Sequence, residues 1–452
     1  MNKILIANRG VIACRVIRAC REMKIATVAV YSDADKEALH VRMADEAYNI
    51  GPPASAQSYL RYDKIIDVAM RSGAEAIHPG YGFLSENAEF VREVTKAGIT
   101  FIGPPPEAME GLGGKMSARK IAIEAGVPIV PGTTEPLKSF DEAKATAMEI
   151  GYPVMLKASA GGGGKGMRLV FDESELKSAL EGAQSEALAG FGDDAVYVEK
   201  AVVRPRHIEI QVFSDTHGNH VYLAERECSI QRRHQKVVEE APSPINSAEL
   251  RKAMGECAVK VAKAVNYVGA GTVEFLVSDV DKSFYFLEMN TRLQVEHPVT
   301  ELITGFDLVR EQINVAWGEK LSFTQDDVRI NGHAIECRIN AEDPSKGFQP
   351  CPGLIKGLFV PGGMGVRFDS HVQAGYVVPP FYDSMIAKLI VTADDRPACV
   401  ERLQRALANF EVEGLTTNIP LLRYIVAQND FAQNRFHTKW LEQSVLPAFQ
   451  QD

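Results

Sequence analysis

The sequence predicts an α/β domain on a parallel sheet at the N-terminus, then α+β segments, then a mostly β domain closed by one or two helices. Three observations carry this. Short apolar runs first alternate with helical patterns: Lys3 to Ala7, Ile12 to Met23, Ala26 to Tyr31, Tyr62 to Ser72 and Ala76 to His78. That is βαβ rhythm, whose crossover helices force neighbouring strands parallel. Breaker-rich links follow, at 126–132 (Gly-Val-Pro-Ile-Val-Pro-Gly) and at Gly151-Tyr152-Pro153 before the apolar run Val154 to Lys157. From Gly332 to Leu446, short strand patterns are punctuated by Pro350, Pro352, Pro361-Gly362-Gly363 and Pro379-Pro380, with a helical pattern from Arg396 to Leu407. The expected divisions are 1–113, 114–330 with a small lobe at 130–203, 331–446, and a tail at 447–452.

The 452 residues are 46% hydrophobic and 24% charged, enough to build two to four cores and too apolar for a disordered chain. With 49 basic and 59 acidic residues the net charge is -10, which argues against a surface made for nucleic acid. No stretch of roughly 20 apolar residues could span a bilayer, and the start runs straight into a strand pattern, so a cytoplasmic protein is expected. Seven cysteines without a Cys-x-x-Cys suggest buried thiols and neither a disulfide framework nor a thiolate zinc site. The dinucleotide fingerprint G-x-G-x-x-G is missing from the first strand-to-helix turn, where Asn8-Arg9-Gly10-Val11 stands.

Three segments carry candidate chemistry. The glycine run 161–166, Gly-Gly-Gly-Gly-Lys-Gly, lies between two strand patterns, and Met167-Arg168 follows where a Walker A loop needs Ser or Thr, so that motif is excluded. Bare backbone N–H groups, with Lys157 and Lys165, suit a flap over phosphates; a plain flexible loop is the alternative. Gly271 to Val277 and Phe284 to Asn290 read as a β-hairpin that, paired symmetrically about Asp281, sets Glu274 opposite Glu288 with Asn290 on the same face. Opposed carboxylates repel, which a divalent cation or a slipped register would relieve. The run Glu225 to Lys236 alternates like one strand, without a purely apolar face, and reads as either a solvated face or the wall of a polar cleft. His207, His234 and His297 show no paired metal-ligand spacing.

With these residues in view, the chain resembles the biotin carboxylases, ATP-grasp enzymes of biotin-dependent carboxylases. The resemblance rests on Ile6 to Gly10, His78 to Asn87, Lys157 to Ala160 with the glycine run, Gln231 to Pro242, Glu288 to Pro298, Glu336 to Asp343 and Tyr382 to Ile386. It implies an ATP-grasp fold with a Rossmann-like N-terminal domain, a mobile lid lobe and a mostly β C-terminal domain. The implied reaction has two stages: bicarbonate attacks the γ-phosphate of MgATP to form carboxyphosphate, and the ureido nitrogen of protein-linked biotin captures its CO2.

By this resemblance Lys115, Lys157, Gly163, Gly164, Gly166, Met167, Glu199, Lys200, His207, Gln231, His234 and Leu276 bind ATP. Glu274, Glu288 and Asn290 bind magnesium or manganese. Lys236, Arg292, Gln294 and Val295 hold bicarbonate, Glu296 is its general base, Arg338 stabilises the biotin enolate, and Tyr81 and Gly82 lie near the biotin ring. Val11 departs from the family's usual glutamate, and Met364 from an aromatic at the dimer interface that Arg18, Glu22 and Arg367 otherwise match. A homodimer is implied. No biotin-carrying Met-Lys-Met segment follows residue 446, so a free-standing subunit is expected, served by a separate biotin carboxyl carrier protein and carboxyltransferase subunits. The acceptor, whether acetyl-CoA, propionyl-CoA, pyruvate or another carbonyl compound, is left open. Another ATP-grasp ligase or a non-catalytic nucleotide-binding subunit is the alternative.

Overall fold

At the N-terminus five strands pair in parallel, as the βαβ rhythm predicts, in the order Glu46–Gly51, Ala26–Ser32, Lys3–Ile6, Ala76–His78, Thr100–Phe101. Alternate side chains of the central strand enter opposite cores. Ile4 and Ile6 pack with Ile12, Val16 and Ile17 of the Gly10–Glu22 helix, whereas Leu5 joins Ile65, Ala69 and Phe90 on the other face. Burial on both faces is why the strand reads as an unbroken apolar run. The order reverses between Lys3–Ile6 and Ala76–His78, and ligands of open α/β sheets bind outside the strand ends at such a switch point.

The computed structural model describes residues 1–133, 135–158, 167–191 and 194–449. The chain divides into two units, Met1–Val127 with His207–Phe275 and Leu287–Asp452, and Pro128–Arg206 with Leu276–Phe286. An eight-stranded sheet, made mostly of larger-unit residues, runs in the order Phe284–Asn290, Gly269–Ser278, Pro205–Ser214, His220–Arg232, Gln235–Ala241, His333–Asn340, Met385–Ala393, Val366–Ser370. The middle and C-terminal segments are thereby joined, since Gln235–Ala241 and His333–Asn340 pair antiparallel with Glu239 opposite Glu336. Among the described residues three α-helices, Arg396–Ala408, Ile419–Val426 and Asn429–Ala432, and a short π-helix, Leu441–Val445, follow the sheet, more than the one or two expected. The second begins in the apolar run Ile419 to Leu422, too short for periodicity to tell helix from strand.

The smaller unit is α+β. Val154–Ala158 is the central strand between Met167–Val170 and Val196–Lys200, antiparallel to both, with the helices Phe140–Ile150 and Glu173–Phe191. Lys157 stands opposite Met167, so the flanks of the glycine run form the expected hairpin; Gly163, Gly164 and Gly166 lie outside the described residues. Leu137, Ala143, Ala147, Leu156, Val170, Leu176 and Leu180 close its core. Among the described residues no helix is long and apolar enough to cross a membrane. All seven cysteines are free and six are buried, Cys351 being half-buried.

Glu240 is a buried anchor between the sheet and the first of the C-terminal helices, accepting from Arg396 Nε at 2.7 Å and lying 2.6 Å from His333 Nε2. Burial raises its pKa, but Arg396 and His333 outweigh burial and bring it from 4.5 to about 2. A depressed folded pKa gives stability that is complete above the unfolded value and is lost as pH falls through the folded one. The shift is worth about 3 kcal/mol. Urea titrations of Glu240→Gln are expected to show that loss at pH 7 and a flatter decline between pH 4.5 and 2; an unaltered acid limb contradicts the assignment.

Candidate active site

The switch point of the parallel sheet presents the loop Pro79 to Phe83. Asn8, at the end of the first strand, donates through Nδ2 to the carbonyls of Pro79 and Tyr81, each at 2.7 Å, and clamps the loop. Gly80 has φ +64°, and a Cβ there would stand 3.0 Å from Asn8 Nδ2 and Ile12 Cγ1, so only glycine permits the clamp. Gly82 also has positive φ, and the buried Tyr81 hydroxyl is pushed up by burial and by Glu336.

The strands of the large sheet and the loop 291–296 bring a dense set of charges together. Lys236 Nζ donates to Glu209 Oε2 at 2.6 Å, Glu296 Oε1 at 2.7 Å and Glu274 Oε1 at 3.0 Å. Burial opposes charge on all of them. The three carboxylates nevertheless hold Lys236 well above the ordinary lysine range, while Lys236 and Arg338 hold Glu296 well below the carboxylate range. Arg338 donates from Nε to Glu239 Oε1 at 2.5 Å and from Nη2 to Glu296 Oε2 at 2.9 Å. Glu296 therefore sits ionised between two cations. Gln294 donates to Glu274 Oε1 at 3.0 Å, and the Val295 carbonyl accepts from buried Lys388. Arg292 donates from Nε to Glu86 Oε2 and from Nη2 to Asn290 Oδ1, each at 2.8 Å.

Local geometry corrects one expectation and bears on another. The run 225–236 is not one strand. It breaks at Arg233-His234, whose φ values of 47° and 66° make a two-residue turn, after which Arg232 pairs with Gln235. The turn exposes His234, whereas Glu225 to Gln231 are all buried, so this is neither a solvated face nor a simply alternating wall. The expected hairpin forms, Gly269–Ser278 and Phe284–Asn290 being neighbours in the sheet, with Glu274 buried and Glu288 exposed. The negative charge of Glu274 is met by Lys236 and by His207, whose Nε2 lies 3.1 Å away, so a metal ion is not the only relief of repulsion here. Asn290 does reach Glu274, donating at 3.0 Å.

Of the remaining expected residues, Gln231 is buried opposite Lys236 across the hairpin, and Lys115 opens the Lys115–Glu124 helix. In the smaller unit, Lys157 pairs with Glu199, Lys200 donates to the carbonyls of Gly151 and Tyr152, Met167 is exposed and Leu276 half-buried. Glu209, Arg226, Glu239, Glu336 and Lys388, all buried, were not singled out from sequence. The one signal for them is the number of charged residues inside strand patterns that have no solvent face. His207, Glu209 and Glu274 offer ligand atoms within 4.8 Å of one another, as do Glu209, Cys228 and Glu296. Glu274 and Asn290 come from adjacent strands, and their side chains carry oxygen ligands of the hard kind that suits magnesium or manganese better than a thiophilic ion, although Asn290 here turns its NH2 to Glu274 and its oxygen to Arg292.

Comparison with known proteins agrees with this architecture. Residues 1–109 match the model of the biotin carboxylase N-terminal domain, 114–324 that of the carbamoyl-phosphate synthase L chain ATP-binding domain, and 336–443 that of the biotin carboxylase C-terminal domain. A pyruvate carboxylase subunit of Methanothermobacter thermautotrophicus is 57% identical over 98% of this chain and 90% of its own length. Biotin carboxylase 1 of Bacillus subtilis is 54% identical over 98% of both chains. Among solved structures, the biotin carboxylase domain dimer of the Hydrogenobacter thermophilus 2-oxoglutarate carboxylase, in complex with MgADP, ADP and bicarbonate, is 50% identical with a TM-score of 0.87, covering 100% of this chain and 99% of that one.

Removing the ammonium common to three buried carboxylates leaves them to repel one another. Lys236→Met is expected to lower the unfolding free energy by about 3 to 5 kcal/mol in a urea titration at pH 7. A loss below about 1 kcal/mol would mean that Glu209, Glu274 and Glu296 do not depend on it.

Proposed function

Because the chain belongs to the biotin carboxylase family, an ATP-grasp family of ATP-dependent ligases, we propose that it carboxylates protein-linked biotin with bicarbonate and MgATP at the Lys236–Glu296–Arg338 cluster. The observation that carries the reading is the ionised Glu296 carboxylate held on one oxygen by Lys236 and on the other by Arg338. A buried base flanked by cations suits an acidic anionic substrate. The cations weaken Glu296 as a base, but the same field makes bicarbonate, held by Lys236, Arg292, Gln294 and the Val295 backbone, a stronger acid. Glu296 takes the bicarbonate proton, the freed oxygen attacks the γ-phosphorus, and ADP leaves carboxyphosphate behind. Carboxyphosphate then breaks into CO2 and a phosphate trianion, the phosphate takes the proton of the biotin ureido N–H, and the nitrogen so freed forms its bond to CO2. Arg338 steadies the negative charge that develops on the ureido oxygen, with Tyr81 and Gly82 beside the ring.

Glu274, Glu288 and Asn290 would hold the divalent cation, which supplies neutralisation of phosphate charge when bound. Lys115, Lys157, Met167, Glu199, Lys200, His207, Gln231, His234, Leu276 and the glycines 163, 164 and 166 are assigned to the nucleotide. The proposal extends to a homodimer in the cytoplasm, a biotin carboxyl carrier protein and carboxyltransferase partners. The divisions 1–113, 114–330 and 331–446 serve as its domain scheme.

The direct test is ATP hydrolysis with magnesium and labelled bicarbonate, with and without free biotin. Biotin-stimulated turnover with label in carboxybiotin is expected, and tight ATP binding with neither would refute the proposal. Glu296→Ala should keep its affinity for ATP while bicarbonate-dependent turnover falls by about 10² to 10⁴. An equal loss of ATP affinity would dissolve the division between nucleotide and bicarbonate groups. Glu288→Ala should raise the magnesium concentration needed for half-maximal rate, and an unmoved requirement would remove Glu288 from the metal site.

A further inference from the structure

Arg226 lies in the His220–Arg232 strand with no exposed surface. Its direction is set by a bulge. Residues up to Tyr222 pair with the Pro205–Ser214 strand in one register and residues from Glu225 in a register shifted by one, with Ala224 at positive φ between them. The bulge brings Arg226 opposite Glu209.

A guanidinium has five N–H donors in one plane, and each of the five meets an acceptor here. Nε donates to Glu209 Oε1 at 2.5 Å. Nη1 donates to Gln211 Oε1 at 2.7 Å and Thr300 Oγ1 at 3.0 Å. Nη2 donates to Thr272 Oγ1 at 3.0 Å and Gln294 Oε1 at 2.8 Å. Two of these acceptors reach back to the candidate site. Glu209 offers its other oxygen to Lys236 Nζ, and Gln294, with its carbonyl oxygen turned to the cation, must turn its NH2 toward Glu274 Oε1. A side-chain amide can flip end for end, and the end facing an anion decides whether it donates or repels.

We infer that Arg226 is a positioning residue for the bicarbonate site, fixing which end of Gln294 faces the anion and where Glu209 holds the Lys236 ammonium. The inference rests on the biotin carboxylase reading above. Arg226 has no exposed surface and all five of its donors are taken by protein acceptors, so it acts through these two side chains. A lysine keeps the charge but has three donors and no plane, so it cannot hold Glu209 and Gln294 together.

The test is steady-state kinetics of the intact chain with ATP, magnesium, bicarbonate and free biotin. Arg226→Lys is expected to raise the KM for bicarbonate at least roughly tenfold, as loss of an orienting partner does, with the KM for ATP within about twofold. Thr300→Val removes one guanidinium acceptor without touching Gln294 or Glu209. It should raise the bicarbonate KM by up to about fivefold with kcat nearly intact, and it decides the matter if Arg226→Lys does not fold. An unmoved bicarbonate KM, or ATP and bicarbonate KM values rising together as in general loosening, overturns the inference. Wild-type protein without bicarbonate-stimulated turnover overturns the carboxylase reading and this inference with it, a result distinguishable because it appears before any substitution.

Discussion

One ammonium group organises the centre of this protein. Lys236 gathers Glu209, Glu274 and Glu296 around a single buried nitrogen, and Arg226 and Arg338 take up remaining oxygens of Glu209 and Glu296. Carboxylates stripped of water in one place would either protonate or force the strands apart. Interleaved cations keep Glu274 and Glu296 ionised, and the proposed handling of bicarbonate and its proton depends on that state.

The sheet makes this arrangement possible because adjacent antiparallel strands deliver residues distant in sequence to neighbouring positions. Arg226 faces Glu209 across one ladder and Glu239 faces Glu336 across another. The same principle ties the larger unit together through buried ion pairs. Arg9 on the first helix turn grips Asp35 with two hydrogen bonds while its guanidinium lies 4.1 Å from the centre of the Tyr382 ring, and Arg15 and Arg367 share Glu301. Such pairs specify one arrangement more than they add stability, since burial takes back much of their attraction. Val11 is a buried apolar residue of the first helix, and Met364 is almost fully exposed.

The elements with strong periodicity were legible in the sequence. The strands Lys3–Ile6, Ala26–Ser32 and Ala76–His78 and the helix Tyr62–Ser72 lie where apolar rhythm places them, because each buries its apolar residues on a face set by its own period. The polar run 225–236 was legible only as unusual. A two-residue turn with positive φ at Arg233 and His234, neither of them glycine, leaves no signature, and neither does a bulge at Ala224.

Sequence by itself determined the βαβ start, the later β-rich part, the family, and which residue types answer to its motifs, because these depend on local pattern and on short contiguous blocks. Tertiary structure alone decided which charges meet. That Glu209 supports Lys236 and Arg226 follows from strand register, set by cross-strand hydrogen bonds, bulges and burial. That Glu296 lies between Lys236 and Arg338, and that Gln294 is held by Arg226, follows from the loop 291–296 folding back onto those strands before the helix His297–Thr304, and neither is a matter of neighbours along the chain.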